Sequence, residues 1–279
     1  MSAATRNWLA PLLTMLAYMV GYGWAVLLSV LILVQGYDPP GASSSSSMSD
    51  RASFTAEATF IVLGLLLAAG ATWSLGRGAL NEWFIGRRPC TPGRGQLVAG
   101  LVLGLDLAGF WLFAWINPPQ PAQDPTAHAL WYDIGAGLLP GAIGEELIVL
   151  ALPIVVVRRM APQLLHDRRP AAAFVLMLVA GRVAYHLYQG AWAWSHLPWA
   201  AGAVLLYLWT GRVWPQILAH AFYDTALALY DHDEISQSTE MTLLHGVAVG
   251  LVLLGSLRLA RGRPPSRLQT SVPHLTTSD

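Results

Sequence analysis

The sequence predicts an all-α, polytopic transmembrane helical bundle, and three observations predict it. Its 279 residues are 54% hydrophobic and 11% charged, with a mean hydropathy of +0.47, far from the composition of a soluble domain. Apolar runs recur that approach the ~20 residues needed to cross a hydrocarbon core of about 30 Å. Twelve tryptophans suit the aromatic belts of a bilayer's two interfaces.

The first run, 9–34, follows Arg6 and covers 26 residues. It is too long for the apolar region of a secretory signal and lacks a small-residue cleavage site at its end, so it reads as a retained span. Residues 36–57 hold Pro39, Pro40 and the serines 43–47, a low-complexity loop that cannot bury a core. Apolar runs follow at 58–75, 96–116, 130–157, 171–190, 197–210, 213–230 and 241–257, separated by Gly, Pro or charge. They bring the expected count to about eight spans, or seven if the 14 residues of 197–210 do not cross fully. The chain divides into N-terminal transmembrane helices at 1–128, a helical core at 129–257 and an arginine-rich tail at 258–279. No internal repeat marks an inverted-topology transporter, so a single membrane domain is expected.

All sixteen basic residues are arginine, and alternate loops hold them unequally. Arg6; Arg77, Arg87, Arg88 and Arg94; Arg158, Arg159, Arg168 and Arg169; Arg212; and Arg258, Arg261, Arg263 and Arg267 share one face. The opposite loops hold Arg51 and the segment Asp231-His232-Asp233-Glu234. The positive-inside rule then places both termini in the cytoplasm. A formal net charge of zero argues against nucleic acid as a partner and leaves membrane lipids. The single cysteine, Cys90, provides neither an intrachain disulfide nor a thiolate metal cage.

Polar residues inside the spans carry the chemistry. An ionised carboxylate at mid-membrane costs at least ~2.5 kcal/mol, so such groups persist where they pair, meet water or act. Glu145 and Glu146 lie in Gly141-Ala142-Ile143-Gly144-Glu145-Glu146, where small residues admit close neighbours. Adjacent helical residues diverge by ~100°, so one glutamate can face a cavity while the other turns to a neighbouring helix. Downstream, Arg182 and His186 stand four apart with Gln189 one turn on, and His220 and Asp224 are likewise four apart, the spacing that stacks two side chains on one helix face.

This set suffices for hydrolysis. A glutamate can deprotonate water, a histidine can hold that water or protonate the leaving amine, and a His–Asp pair can stabilise an oxyanion. Glu145, His186 and His220 also match the ligand count of a hydrolytic zinc site, with water in the fourth position. The sequence leaves both mechanisms open. No Ser or Cys stands in a nucleophile setting, so no covalent intermediate is expected. Blander readings suit the remaining polar residues. Asp106 and His245 read as helix–helix hydrogen bonds, His128, His166, His196, His232 and His274 as residues of loops or span ends, and Arg158 and Arg159 as topology anchors that could attract an anionic leaflet. Counting ~1.5 Å per residue from the span ends puts His220 about 10 Å, Glu145 about 18 Å and His186 about 22 Å deep. A single centre needs them closer.

Three motifs in the order Glu-Glu, His, His-xxx-Asp on separate apolar helices resemble the CPBP family of intramembrane proteases, with its type II CAAX prenyl endopeptidases, bacterial Abi proteins and lysostaphin-resistance-like members. The likeness spans roughly 131–257, and Tyr185-His186-Leu187-Tyr188-Gln189-Gly190 looks especially like the bacterial members. It implies that Glu145 activates water with His186, that His220 and Asp224 orient it or hold the oxyanion, and that the protein sits in a bacterial plasma membrane and acts on a membrane-bound or lipidated peptide. Two positions depart from the family pattern of Glu-Glu-xxx-Arg and Phe-xxx-His: Leu150 replaces the Arg and Arg182 replaces the Phe. We read the two as linked, with Arg182 supplying across the helix interface the positive partner of Glu146. Rival expectations are a non-catalytic immunity or binding protein of the same fold and a proton-coupled transporter.

Overall fold

The computed structural model describes residues 3–35, 50–87, 91–116 and 128–261. Eleven α-helices follow one another there: α1 Ala3–Gln35, α2 Asp50–Ser74, α3 Arg77–Phe84, α4 Pro92–Ile116, α5 Leu130–Ala136, α6 Leu152–Met160, α7 Gln163–His166, α8 Arg168–Ala184, α9 Leu197–Thr210, α10 Trp214–Asp231 and α11 Gln237–Arg261. A π-helix, Gly137–Ala151, joins α5 to α6, and a 3₁₀ segment, Leu187–His196, joins α8 to α9. No strand occurs among the described residues. Pro39, Pro40, the serines 43–47, Arg88, Cys90, Arg263, Arg267 and His274 lie outside them.

Among the described residues five helices are long and apolar enough to cross a bilayer: Trp8–Leu31, Asp50–Ser74, Pro92–Ile116, Leu130–Met160 and Gln237–Arg261. The three further runs counted as spans from sequence are shorter or more polar, with α8 at 17 residues, α9 at 14 and α10 at 18. Expectation and structure differ at two borders. Residues 50–57 belong to α2 rather than to the preceding loop, because Asp50 caps the interhelical contact by accepting from the Ala129 backbone N–H at 2.9 Å and facing His128 Nδ1 at 3.0 Å. Helix α8 stops at Ala184 instead of running to 190, and the chain then winds as a 3₁₀ turn through Gly190, whose φ of 63° lies in the left-handed region open to glycine.

The continuous helix Leu130–Met160 is the axis of the bundle: 72% of its apolar window is buried, against 17% for α11. It packs on α1, α2, α8 and α10. Its wide central turns spare Pro140 the clash that a proline ring makes with the i−4 carbonyl in an α-helix. Two side chains from outside hold carbonyls of the segment: the Tyr22 hydroxyl donates to Pro140 O at 2.6 Å, and the Trp83 indole N–H donates to Leu147 O at 2.8 Å.

Helices α4 and α11 pair antiparallel, tied by Arg258 Nη1 to Gln96 Oε1 at 2.9 Å near one end and by Trp111 Nε1 to His245 Nε2 at 3.1 Å near the other. His245 therefore makes the interhelical bond its position suggested. Arg87, Arg158, Arg159 and Arg212 gather at one end of the molecule. Arg212 Nη1 donates to Ile85 O at 3.1 Å, the Arg87 N–H to Gly211 O at 3.1 Å, and Arg158 and Arg159 both reach Glu82. The opposite end is acidic, with His232 on Asp133 at 2.7 Å and the Tyr132 hydroxyl on Glu57 at 2.7 Å.

Candidate active site

Glu145 and Glu146 project from the π-helix, Arg182 from the last turn of α8, His186 from the bend after it, and His220 and Asp224 from α10. The structure brings all six together. Arg182 grips Glu146 with two nitrogens, Nη2 to Oε1 at 2.8 Å and Nη1 to Oε2 at 3.3 Å. Both side chains are fully buried. The cation found on the neighbouring helix is thus the partner that Leu150, also buried, does not provide.

Adjacent glutamates take different neighbours. Glu146 Oε1 also faces His220 Nδ1 at 3.3 Å, while His220 Nε2 faces Asp224 Oδ2 at 3.4 Å, the four-residue contact expected on α10. Glu145 accepts from the Tyr185 hydroxyl at 2.7 Å through Oε2. The same oxygen lies 4.0 Å from Arg182 Nη2, and Oε1 lies 3.8 Å from His186 Nε2. That last separation is too long for a direct hydrogen bond. Both ring nitrogens of His186 are buried without a hydrogen-bond partner among the described residues.

The depth spread inferred from straight helices closes for two reasons. Helix α8 ends six residues before the apolar run does, which lifts His186 onto a bend, and the π-helix changes the register of Glu145 relative to an α-helical count. Arg182 and His186 consequently do not share one α-helical face, and Gln189 turns away to accept at Oε1 from His196 Nε2 at 3.0 Å. Small residues set the approach of α10. A Cβ on Gly141 would stand 2.7 Å from Asp224 Oδ2, and one on Gly137 would stand 2.7 Å from Asp224 Cβ.

Several contributors escaped the sequence reading. Trp199 places its ring 4.1 Å beneath the Arg182 guanidinium and packs edge-on against His220 at 4.8 Å. His196, expected at a loop or span end in peripheral packing, stacks on His186 with centroids 4.4 Å apart. Tyr22 packs on Tyr185 at 5.0 Å, and Ser29 Oγ accepts the Tyr188 N–H at 3.0 Å, so α1 buttresses the bend that carries His186. Each is an aromatic or a small hydroxyl within an apolar run, without sequence spacing to single it out. Asp106 departs from expectation: it is buried on α4 but makes no helix–helix hydrogen bond among the described residues. Arg158 and Arg159 are not free anchors, since buried Glu82 holds them at 2.6 and 2.8 Å. His128 and His232 pair with Asp50 and Asp133, and His166 Nδ1 faces Pro162 O at 2.6 Å.

No family model, curated protein or solved structure matches the chain.

Of the three ligands the zinc reading names, Glu145 and His186 face one another at 3.8 Å and His220 lies between Glu146 and Asp224. His186 has free nitrogens, but both nitrogens of His220 already face carboxylates. Among the described residues no three His, Cys, Asp or Glu side chains converge as a metal-binding group. What the arrangement offers is a carboxylate oxygen and an imidazole nitrogen 3.8 Å apart, beside a fixed guanidinium.

Proposed function

We propose that this chain is an integral membrane endopeptidase, located in a bacterial plasma membrane with both termini in the cytoplasm, that hydrolyses a peptide bond of a membrane-embedded or lipid-modified protein. The observation that carries the reading is the gap between Glu145 Oε1 and His186 Nε2, 3.8 Å wide, with the imidazole otherwise unpartnered. The gathering of arginine loops at one end supports the orientation.

In this mechanism Glu145 and His186 part far enough to admit a water between them. Glu145 takes one proton as the water oxygen bonds to the carbonyl carbon, whose π electrons move to oxygen. The oxyanion forms beside His220 and takes over its Nε2 from Asp224, while Glu146 holds Nδ1 in place. When the tetrahedral adduct collapses, the C–N bond breaks, and the proton passes to the leaving amine through His186. Tyr185 aims the Glu145 carboxylate, while Glu146 and Arg182 fix the scaffold. Leu150 in place of the motif arginine favours the non-catalytic rival, but Arg182 restores the missing cation.

The test is cleavage of membrane peptides by purified protein, alongside metal analysis of the same sample. Glu145→Gln should keep the fold and lose at least ~10²-fold in rate. Wild-type protein without cleavage but with a phenotype untouched by Glu145→Gln would establish a binding protein; Glu145-dependent flux in proteoliposomes without cleavage would establish a transporter. Stoichiometric metal whose removal abolishes cleavage would overturn the metal-free step.

A further inference from the structure

The imidazole of His186 has no hydrogen bond to aim it: Nδ1 and Nε2 are both buried without a partner among the described residues. A bond at one ring nitrogen ordinarily fixes the tautomer and the direction of the other. Nothing of that kind turns Nε2 toward Glu145 Oε1, 3.8 Å away. The plane of the ring is therefore held by packing.

Three rings pack against it. Tyr185 lies 4.5 Å away tilted by 45°, Trp199 lies 6.3 Å away edge-on, and His196 lies 4.4 Å away with only 27° between the planes. Tyr185 is committed to Glu145 through its hydroxyl, and Trp199 to the Arg182 guanidinium above its face. His196 is the ring that lies nearly flat on the imidazole, and it is clamped from its far side. Its Nε2 meets Gln189 Oε1 at 3.0 Å, and Gln189 Nε2 donates to the Tyr188 hydroxyl at 3.3 Å. Tyr188, Gln189 and His196 all belong to the 3₁₀ segment Leu187–His196, where Gly190, at φ 63° and ψ −132°, interrupts the helical path. Tilting one ring of such a stack parts the two faces and loses their contact, whereas sliding in the plane keeps most of it.

We propose that His196 is a positioning residue for His186. Its ring, clamped by Gln189, keeps the imidazole in the plane that points Nε2 at Glu145, and leaves it free to slide as water enters between the two. The nitrogens of His196 take no part in proton transfer, so another flat ring serves in its place. This role rests on the proposed hydrolysis for its catalytic consequence and on the stack alone for its geometry.

The experiment pairs cleavage kinetics of the full chain with imidazole nitrogen NMR of the histidine-labelled protein, the His186 signals being assigned by their loss in His186→Gln. His196→Ala should lower kcat about tenfold and leave KM nearly unchanged, the pattern of an interaction that acts in the chemical step rather than in binding. It should also broaden or double the His186 signals. His196→Phe, which keeps a flat ring and removes both nitrogens, should recover the rate and the sharp signals. Unchanged kcat and unchanged signals in His196→Ala would overturn the proposal. So would a His196→Phe variant as slow as His196→Ala, which would put the nitrogens of His196 in the chemistry. If His196→Ala does not fold, Gln189→Leu releases the outer ring without emptying its place and should broaden the same signals; sharp, unmoved signals there would overturn the proposal as well. Wild-type protein that cleaves nothing would remove the hydrolytic reading, while the His186 signals would still decide whether His196 holds the ring.

Discussion

At the centre of the bundle Arg182 and Glu146 meet at 2.8 Å with neither side chain exposed. At the acidic end His232 and Asp133 meet at 2.7 Å, with side chains 11% and 30% exposed. The distances are nearly equal and the physics is not. Water screens the second pair, and exposed pairs contribute at most about 1 kcal/mol. The first is desolvated, so each ion depends on the other, and removing one strands a buried charge. Contact distance alone therefore ranks neither pair; burial does.

The largest effect expected from this contrast is at Arg182. Arg182→Leu should cost about 3–5 kcal/mol by leaving buried Glu146 with His220 as its one remaining partner, read as a fall in thermal unfolding temperature in detergent. Adding Leu150→Arg should recover part of it, and an unchanged transition in the single variant would break the comparison. Gly141→Ala comes next, at about 1–3 kcal/mol, because its Cβ would press on Asp224 and push α10 outward. Trp83→Phe removes the indole bond to Leu147 O while keeping an aromatic ring, and should cost about 1 kcal/mol in the same assay. Asp133→Asn should cost less than ~1 kcal/mol and lose even that effect at high salt. A larger, salt-independent loss would show that the acidic end is as dry as the centre.

How much of this was legible in the sequence follows the same division. Glu145, Glu146, Arg182, His186, His220 and Asp224 stood out because each is polar where apolar residues belong, and all six meet in space. The Arg182–Glu146 pair was legible because a charge missing at Leu150 had to be sought elsewhere. Trp199, Tyr185 and Tyr22 were not legible as neighbours of the cluster, because aromatic residues in an apolar run carry no such excess. His196 does lie at a span end, as the N-cap of α9, but its stacking on His186 was not legible, because the 3₁₀ segment through Gly190 that returns it there leaves no mark in residue spacing. Glu82 went unseen because a lone acid in an arginine-rich loop looks solvated until Arg158 and Arg159 close over it.

The brevity of α8 and α9 has a consequence for the surrounding lipid. At 17 and 14 residues they extend about 26 and 21 Å, short of a hydrocarbon core of about 30 Å. On the proposed membrane embedding, a bilayer that meets both helices thins there, at fractions of a kcal/mol per Å, and its aqueous boundary moves toward the bend that carries His186. Under that proposal, the chain length of the host lipids governs how readily water reaches the cluster.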